Sequence, residues 1–142
     1  TNETSLQVEE FPFSDVKAAI RDHIKQIQQL QWEQSNRFLC QIIRDVTDRL
    51  QLPRSRRDQV CISRLRTGHT STTHRHIFTN ADPPSCSTCD TTVTVRHILL
   101  DCAVHVSARV RNHVPNNIKR ALTTDMYRTI QFLKDINLYY EI

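Results

Sequence analysis

Apolar residues recur at helical spacing along most of the chain. Val16, Ile20, Ile27 and Leu30 lie three, four or seven residues apart, and Leu39, Ile43, Val46 and Leu50 extend the stripe, with Phe38 and Ile42 alongside. No Gly or Pro interrupts residues 14–50, so the pattern predicts one very long helix, or two with a bend near Ser35-Asn36, and Trp32 as a core anchor. Ser14 is the expected cap, with Asp15 favourably placed in the first turn. Residues 1–13, polar and acidic up to Phe11-Pro12-Phe13, read as a linker that docks on the domain.

Pro53 stops that element, and Ser55-Arg56-Arg57-Asp58 has the form of a capping box. A helix from Arg56 to about Thr67 would bury Cys61, Ile62 and Leu65, and Gly68 falls where a left-handed C-cap is wanted. Residues 69–85 hold His69, His74 and His76 and then Pro83-Pro84. The β-branched run Thr91 to Val95 is a short strand or a loop. Ala103 to Asn112 is helically spaced and ended by Pro115. Asn116 or Asn117 can cap a short turn, and Thr124-Asp125 opens a last helix carrying Met126, Ile130, Leu133 and Ile136. The expected fold is mainly α: a single helical domain over 14–142, scaffolded by the 14–50 helices and containing a small CCHC zinc knuckle at 86–102.

Composition narrows the function classes. One glycine in 142 residues leaves no room for a GxGxxG fingerprint, a GxxxxGK[ST] phosphate loop or a Gly-x-Ser-x-Gly elbow. Asn-Gly and Asp-Gly hairpins are absent too, which disfavours a sandwich or barrel. No run of 18 apolar residues occurs, so no segment is expected to span a membrane. The acidic residues are scattered apart from Glu9-Glu10, so no carboxylate cluster points to two-metal phosphoryl chemistry. The chain opens at Thr1 with neither Met nor an apolar signal region and reads as a segment of a longer polypeptide.

The net charge of +4 is unevenly spread. Residues 1–50 hold six basic and eight acidic side chains, net −2, whereas residues 51–80 carry Arg54, Arg56, Arg57, Arg64, Arg66 and Arg75 against Asp58, net +5. Arginine outnumbers lysine 15 to 4. Its flat fork of donors matches phosphate, so these six arginines are the candidate nucleic-acid contacts. A solvated helix face is the plainer alternative.

Cys86-x2-Cys89-x7-His97-x4-Cys102 is the strongest chemical signal. Zinc takes four tetrahedral nitrogen and sulfur ligands, and a CxxC turn presents two thiolates to one ion. Four protein ligands close the site, making the zinc structural. Five residues of ideal helix turn through about 500°, leaving two side chains about 140° apart. His97 and Cys102 therefore cannot share an ion from an unbroken helix, which must end or distort around Leu100-Asp101. His105 competes as fourth ligand through Cys102-x2-His105. Five cysteines with one CxxC suit a metal site in a reducing, intracellular (nuclear or cytoplasmic) setting, with Cys40 and Cys61 as inert core thiols. The spacing of His69, His74 and His76 does not put all three on one helical face, so packing or capping roles are expected for them.

The order of these motifs resembles the region that follows the RNase H domain in non-LTR retrotransposon polyproteins of jockey-like type. The resemblance rests on Arg57-Asp58-Gln59-Val60, Arg64-Leu65-Arg66-Thr67-Gly68-His69-Thr70, Thr73-His74, Pro83-Pro84-x-Cys86-x2-Cys89, Thr94 through Cys102, and Phe132-Leu133-Lys134-Asp135-Ile136-x-Leu138-Tyr139. It covers about residues 12–142, and Thr72 stands where the family often has leucine. It implies a C-terminal zinc-binding module with Cys86, Cys89, His97 and Cys102 as ligands, aiding RNA or DNA handling beside upstream domains of the same polyprotein, with no catalytic residue of its own. The expected function is thus non-catalytic, zinc-dependent nucleic-acid binding. The rivals are a structural or interaction module that docks on the parent polymerase or self-associates, and a hydrolase fragment using the histidines.

Overall fold

The computed structural model describes residues 12–35 and 37–142. The proposed 1–13 linker lies outside them up to Phe11, as does the bend point Asn36. The described chain is mainly helical. Helix α1 spans Phe13–Glu33, α2 Arg56–Thr67, α3 Ser71–Thr79, α4 Val106–Arg111, α5 Ile118–Leu122 and α6 Met126–Asp135. A two-residue hairpin pairs β1 (Ser85–Cys86) antiparallel with β2 (Thr91–Thr92), in the register Ser85 to Thr92 and Cys86 to Thr91. Of the β-branched run, only Thr91 and Thr92 are strand.

Several local signals work as their chemistry predicts. Ser55 accepts a long 3.5 Å bond from the Asp58 N–H at the start of α2. The reciprocal half of that box is replaced: the Asp58 carboxylate takes the Tyr139 hydroxyl at 2.6 Å. Gly68 closes α2 at φ 78°, a conformation that favours glycine, and a Cβ there would also press on the Phe38 ring at 3.2 Å. Asn117, rather than Asn116, caps α5. Helix α3 has no clear stripe, but Thr70 and Thr73 form its capping box, a Thr-x-x-Thr signal present in the sequence.

The 14–50 scaffold is where the structure departs most. Helix α1 opens at Phe13 behind Pro12, not at Ser14, and has no buried residue. Val16, Ile20, Ile24, Ile27 and Leu30 of its apolar stripe are all exposed, at 43–58%. The second stripe is not α-helical: Phe38–Gln41 is a single 3-10 turn and residues 42–55 are irregular. Side chains of α1 satisfy the backbone groups a helix would have used. Trp32 Nε1 donates to the Ile43 carbonyl (2.8 Å), while Gln29 donates to the Arg44 carbonyl (2.8 Å) and accepts the Val46 N–H (3.0 Å). Asp45 adds a local turn, taking the Thr47 N–H at 2.7 Å and its hydroxyl at 2.6 Å. Trp32 is accordingly a half-buried strut rather than a core anchor. Ile42 is still fully buried, with Phe38, Ile43 and Leu50 packed against the core.

That core joins Cys61, Ile62 and Leu65 of α2, Ile118 and Leu122 of α5, Met126, Ile130, Phe132 and Leu133 of α6, and the turn carrying Val95, Ile98 and Leu99. The chain's last residues wrap α2, with Tyr139 and Ile142 buried. Burial, then the Asp58 bond and charge, push the Tyr139 phenol up to about 12, and burial pushes the Cys61 thiol up to about 11. Both exceed the ordinary values of 10.0 and 9.0, so the stability they contribute is whole below pH 9 and is lost as pH climbs through 9 to 12. Urea unfolding across that range is expected to show this alkaline loss. Tyr139→Phe, which cannot ionise, should flatten it above pH 10; a variant profile parallel to wild type there would contradict the account.

Candidate metal centre

Each ligand of the cysteine–histidine set is placed by a different local device. The hairpin turn returns through Asp90 in the left-handed region (φ 51°), and the Asp90 N–H bonds to the Cys86 carbonyl at 2.8 Å, bringing Cys86 and Cys89 to one side. Thr94 caps the following turn, its hydroxyl accepting the His97 N–H at 3.0 Å. Residues His97–Asp101 then form a π-helical turn, closed by the Cys102 N–H to the His97 carbonyl at 2.7 Å. An i→i+5 bond brings residue i+5 back over residue i. This is the distortion the His-x4-Cys step requires, and Cys102 leaves it in extended conformation (φ −62°, ψ 122°). Arg109 steadies the exit by donating to the Cys102 carbonyl at 2.6 Å.

The donor atoms of Cys86, Cys89, His97 and Cys102 lie within 4.8 Å of one another, close enough to hold a metal ion. Cys86 Sγ and Cys102 Sγ are 3.9 Å apart. Two thiolates bound tetrahedrally at about 2.3 Å to zinc would be separated by about 3.8 Å. His97 is 7% exposed, and its Nε2 is buried with no hydrogen-bond partner, whereas Nδ1 faces the Thr91 hydroxyl at 3.4 Å. A buried, unpartnered acceptor costs free energy unless something else ligates it. An outer hydroxyl on Nδ1 with Nε2 free inward is the usual arrangement of a ligating histidine. Cys89 Sγ accepts the Ala103 N–H at 3.4 Å.

The thiols are unlike one another. The His97 imidazole and the Cys89 and Thr88 N–H groups lower Cys86 to about 6, favouring its thiolate. Burial raises Cys102, so a thiolate there needs a cation beside it. His105, the competing fourth ligand, is elsewhere: its ring packs edge-on against Phe132 at 6.0 Å, and burial lowers its pKa. No family model, curated protein or solved structure matches the chain. What the centre does must be read from its own donors.

The six arginines divide into two groups. Arg66 is 4% exposed; its Nε donates to the Leu122 carbonyl (2.9 Å) and its Nη2 to the Gln51 carbonyl (2.8 Å). Arg57 donates to the Tyr139 carbonyl (2.8 Å) and Arg64 to the Ile142 carbonyl (2.6 Å). These three therefore staple the chain's own backbone, because the donor fork that suits phosphate suits carbonyl oxygens as well. Arg66 in particular is closed to any ligand. Arg54, Arg56 and Arg75 are exposed and belong to no ion pair among the described residues. Of the histidines, the His69 and His74 rings pack at 4.2 Å, inclined by 56°, and Thr73 bonds His74 Nδ1 at 2.7 Å, so two of the three have packing roles. Among the described residues no helix is long and apolar enough to cross a membrane.

Proposed function

We propose that the chain is a non-catalytic nucleic-acid-binding module organised by one structural zinc ion, of the kind that follows the RNase H domain in jockey-like retrotransposon polyproteins. The observation that carries the zinc assignment is the clustering of three cysteine sulfurs and a His97 ring nitrogen within 4.8 Å of one another, with His97 Nε2 buried and unpartnered. Three thiolates and an imidazole form a soft, tetrahedral donor set that selects zinc over calcium or magnesium. Four protein ligands leave no open position, so the ion supplies folding energy and no Lewis-acid chemistry. Cys86, Cys89, His97 and Cys102 would hold it, tying the hairpin to the turn that feeds Val95, Ile98 and Leu99 into the core.

Support for nucleic acid comes from the basic middle of the chain, where exposed Arg54, Arg56 and Arg75 remain free for phosphate. Phosphate contacts position a ligand without reading its sequence, and counterion release makes them steep in salt. In a salt titration with labelled RNA, DNA and hybrid, the affinity is expected to fall log-linearly. Reversing Arg54, Arg56 and Arg75 together to Glu should reduce the slope by about three and the affinity by more than about tenfold. Unchanged binding by that variant would refute the assignment.

The rival is a docking or self-association module, favoured by the exposed α1 stripe of Val16, Ile20, Ile24, Ile27 and Leu30. It is the better reading if no nucleic acid binds at low salt while light scattering shows a concentration-dependent dimer.

A further inference from the structure

Helix α3 and the chain's last residues share a face for which the core has no use. Phe78 is 89% exposed and Tyr140 81%, and both line an open groove of about 590 Å³ together with Arg64, Arg75, His69 and His74. Two large exposed rings lining one groove are more apolar surface than the fold itself requires there, and such surface is a candidate for binding. The groove is built rather than incidental. Tyr140 is held edge-on to Tyr139 with ring centroids 4.9 Å apart, and the Arg57 guanidinium sits 5.6 Å from its centroid. One side of that ring is thus fixed while the ring itself stays open to solvent. The His69 and His74 rings meet at 4.2 Å, inclined by 56°, on the same groove.

We propose that this groove binds single-stranded nucleic acid, stacking unpaired bases on Phe78 and Tyr140 while Arg75 and Arg64 meet the intervening phosphates. The proposal rests on the nucleic-acid reading above and adds to it the strandedness of the ligand and the surface that contacts it. Flat, pre-positioned rings flanked by guanidinium groups match a base with its phosphate, and pre-positioning lowers the entropy cost of binding. The selectivity follows from what each ligand can offer. In a duplex the base faces are covered by their own neighbours, so only an unpaired strand can use the rings. Glu141, also on the groove, opposes the backbone charge and sets where a phosphate cannot lie. Arg64, an exposed residue on the groove, places Nη1 on the Ile142 carbonyl at 2.6 Å and has no other hydrogen bond to the described residues through its guanidinium.

The test uses the full zinc-loaded chain with a labelled 12-nucleotide RNA, the matching DNA strand and the matching duplex. Phe78→Ala is expected to weaken single-strand binding by at least about tenfold, the loss of one stacked base, and to change duplex binding less than about twofold. Phe78→Leu, which keeps apolar bulk without a flat ring, should lose as much, and Phe78→Tyr should bind like wild type. Because Phe78 is 89% exposed, these variants keep the fold, which far-UV circular dichroism checks. Salt-steep binding that prefers duplex, or is indifferent to Phe78→Ala, overturns the groove and leaves the nucleic-acid reading standing. Full affinity in Phe78→Leu overturns stacking, since apolar bulk without a flat ring would then suffice. No binding of any probe at low salt overturns both.

Discussion

Cys102→Ser is expected to abolish stoichiometric zinc binding and to lower the unfolding free energy by about 4 kcal/mol or more, the contribution of a ligand present at about a thousandfold over its dissociation constant. Cys102 is the pivot of the centre. It closes the π-helical turn through its N–H, is 3% exposed, and faces Cys86 at 3.9 Å. Replacing its sulfur removes one of four ligands and leaves the hairpin without its tie to Val95, Ile98 and Leu99. Chelator treatment of the wild type should reproduce the loss, and added zinc should reverse it. Because the ligands must shed protons to bind, zinc affinity should weaken as the solution is acidified. Cys40→Ser is the control, since Cys40 is half-buried and outside the cluster. Metal counting with a chromophoric chelator and urea melts with and without zinc decide the matter. A Cys102→Ser protein that melts like wild type under both conditions would remove the metal from the account.

The second large effect is expected at Arg66. Arg66→Met should destabilise the chain by about 2–4 kcal/mol, because truncation strands buried carbonyl oxygens that had charged donors. The Leu122 carbonyl lies at the C-terminal end of α5, where a cation also complements the helix dipole. The Gln51 carbonyl belongs to the irregular segment before α2, so a single guanidinium ties together three stretches of chain. Arg66→Lys should recover little, since one ammonium cannot fork between two acceptors. Arg75→Met, at an exposed position, is expected to change stability by less than about 0.5 kcal/mol. Equal urea midpoints for Arg66→Met and Arg75→Met would show that Arg66 is not the staple it is drawn as.

Much of the helical architecture is readable from local chemistry. Ser55, Gly68 and Asn117 mark element ends because a cap acts on backbone groups within three or four residues of itself. Helix α3 could have been read in the same way from Thr70 and Thr73. The cluster of possible metal donors is legible for the same reason: its four residues lie within 17 positions, and for His97 and Cys102 to face one ion the rotation of an ideal helix already demands a distorted turn between them. The choice between His97 and His105 is not local. It turns on Phe132, against whose edge the half-buried His105 ring packs, while His97 lies with the sulfurs.

Amino-acid order alone therefore marks both ends of α2 and the cap of α5, and shows which cysteines and histidine are spaced for one ion. Tertiary structure alone decides which apolar residues are buried and which arginines are held by the chain's own carbonyls. Periodicity says that a face is apolar but not what will cover it: the stripe of α1 stays in water, while Ile42 is buried without a helix to present it. An arginine's reach is equally mute in the sequence. Arg57, Arg64 and Arg66 find acceptors 82, 78 and 56 residues away, and no local pattern records a contact whose two halves meet only after the core has formed.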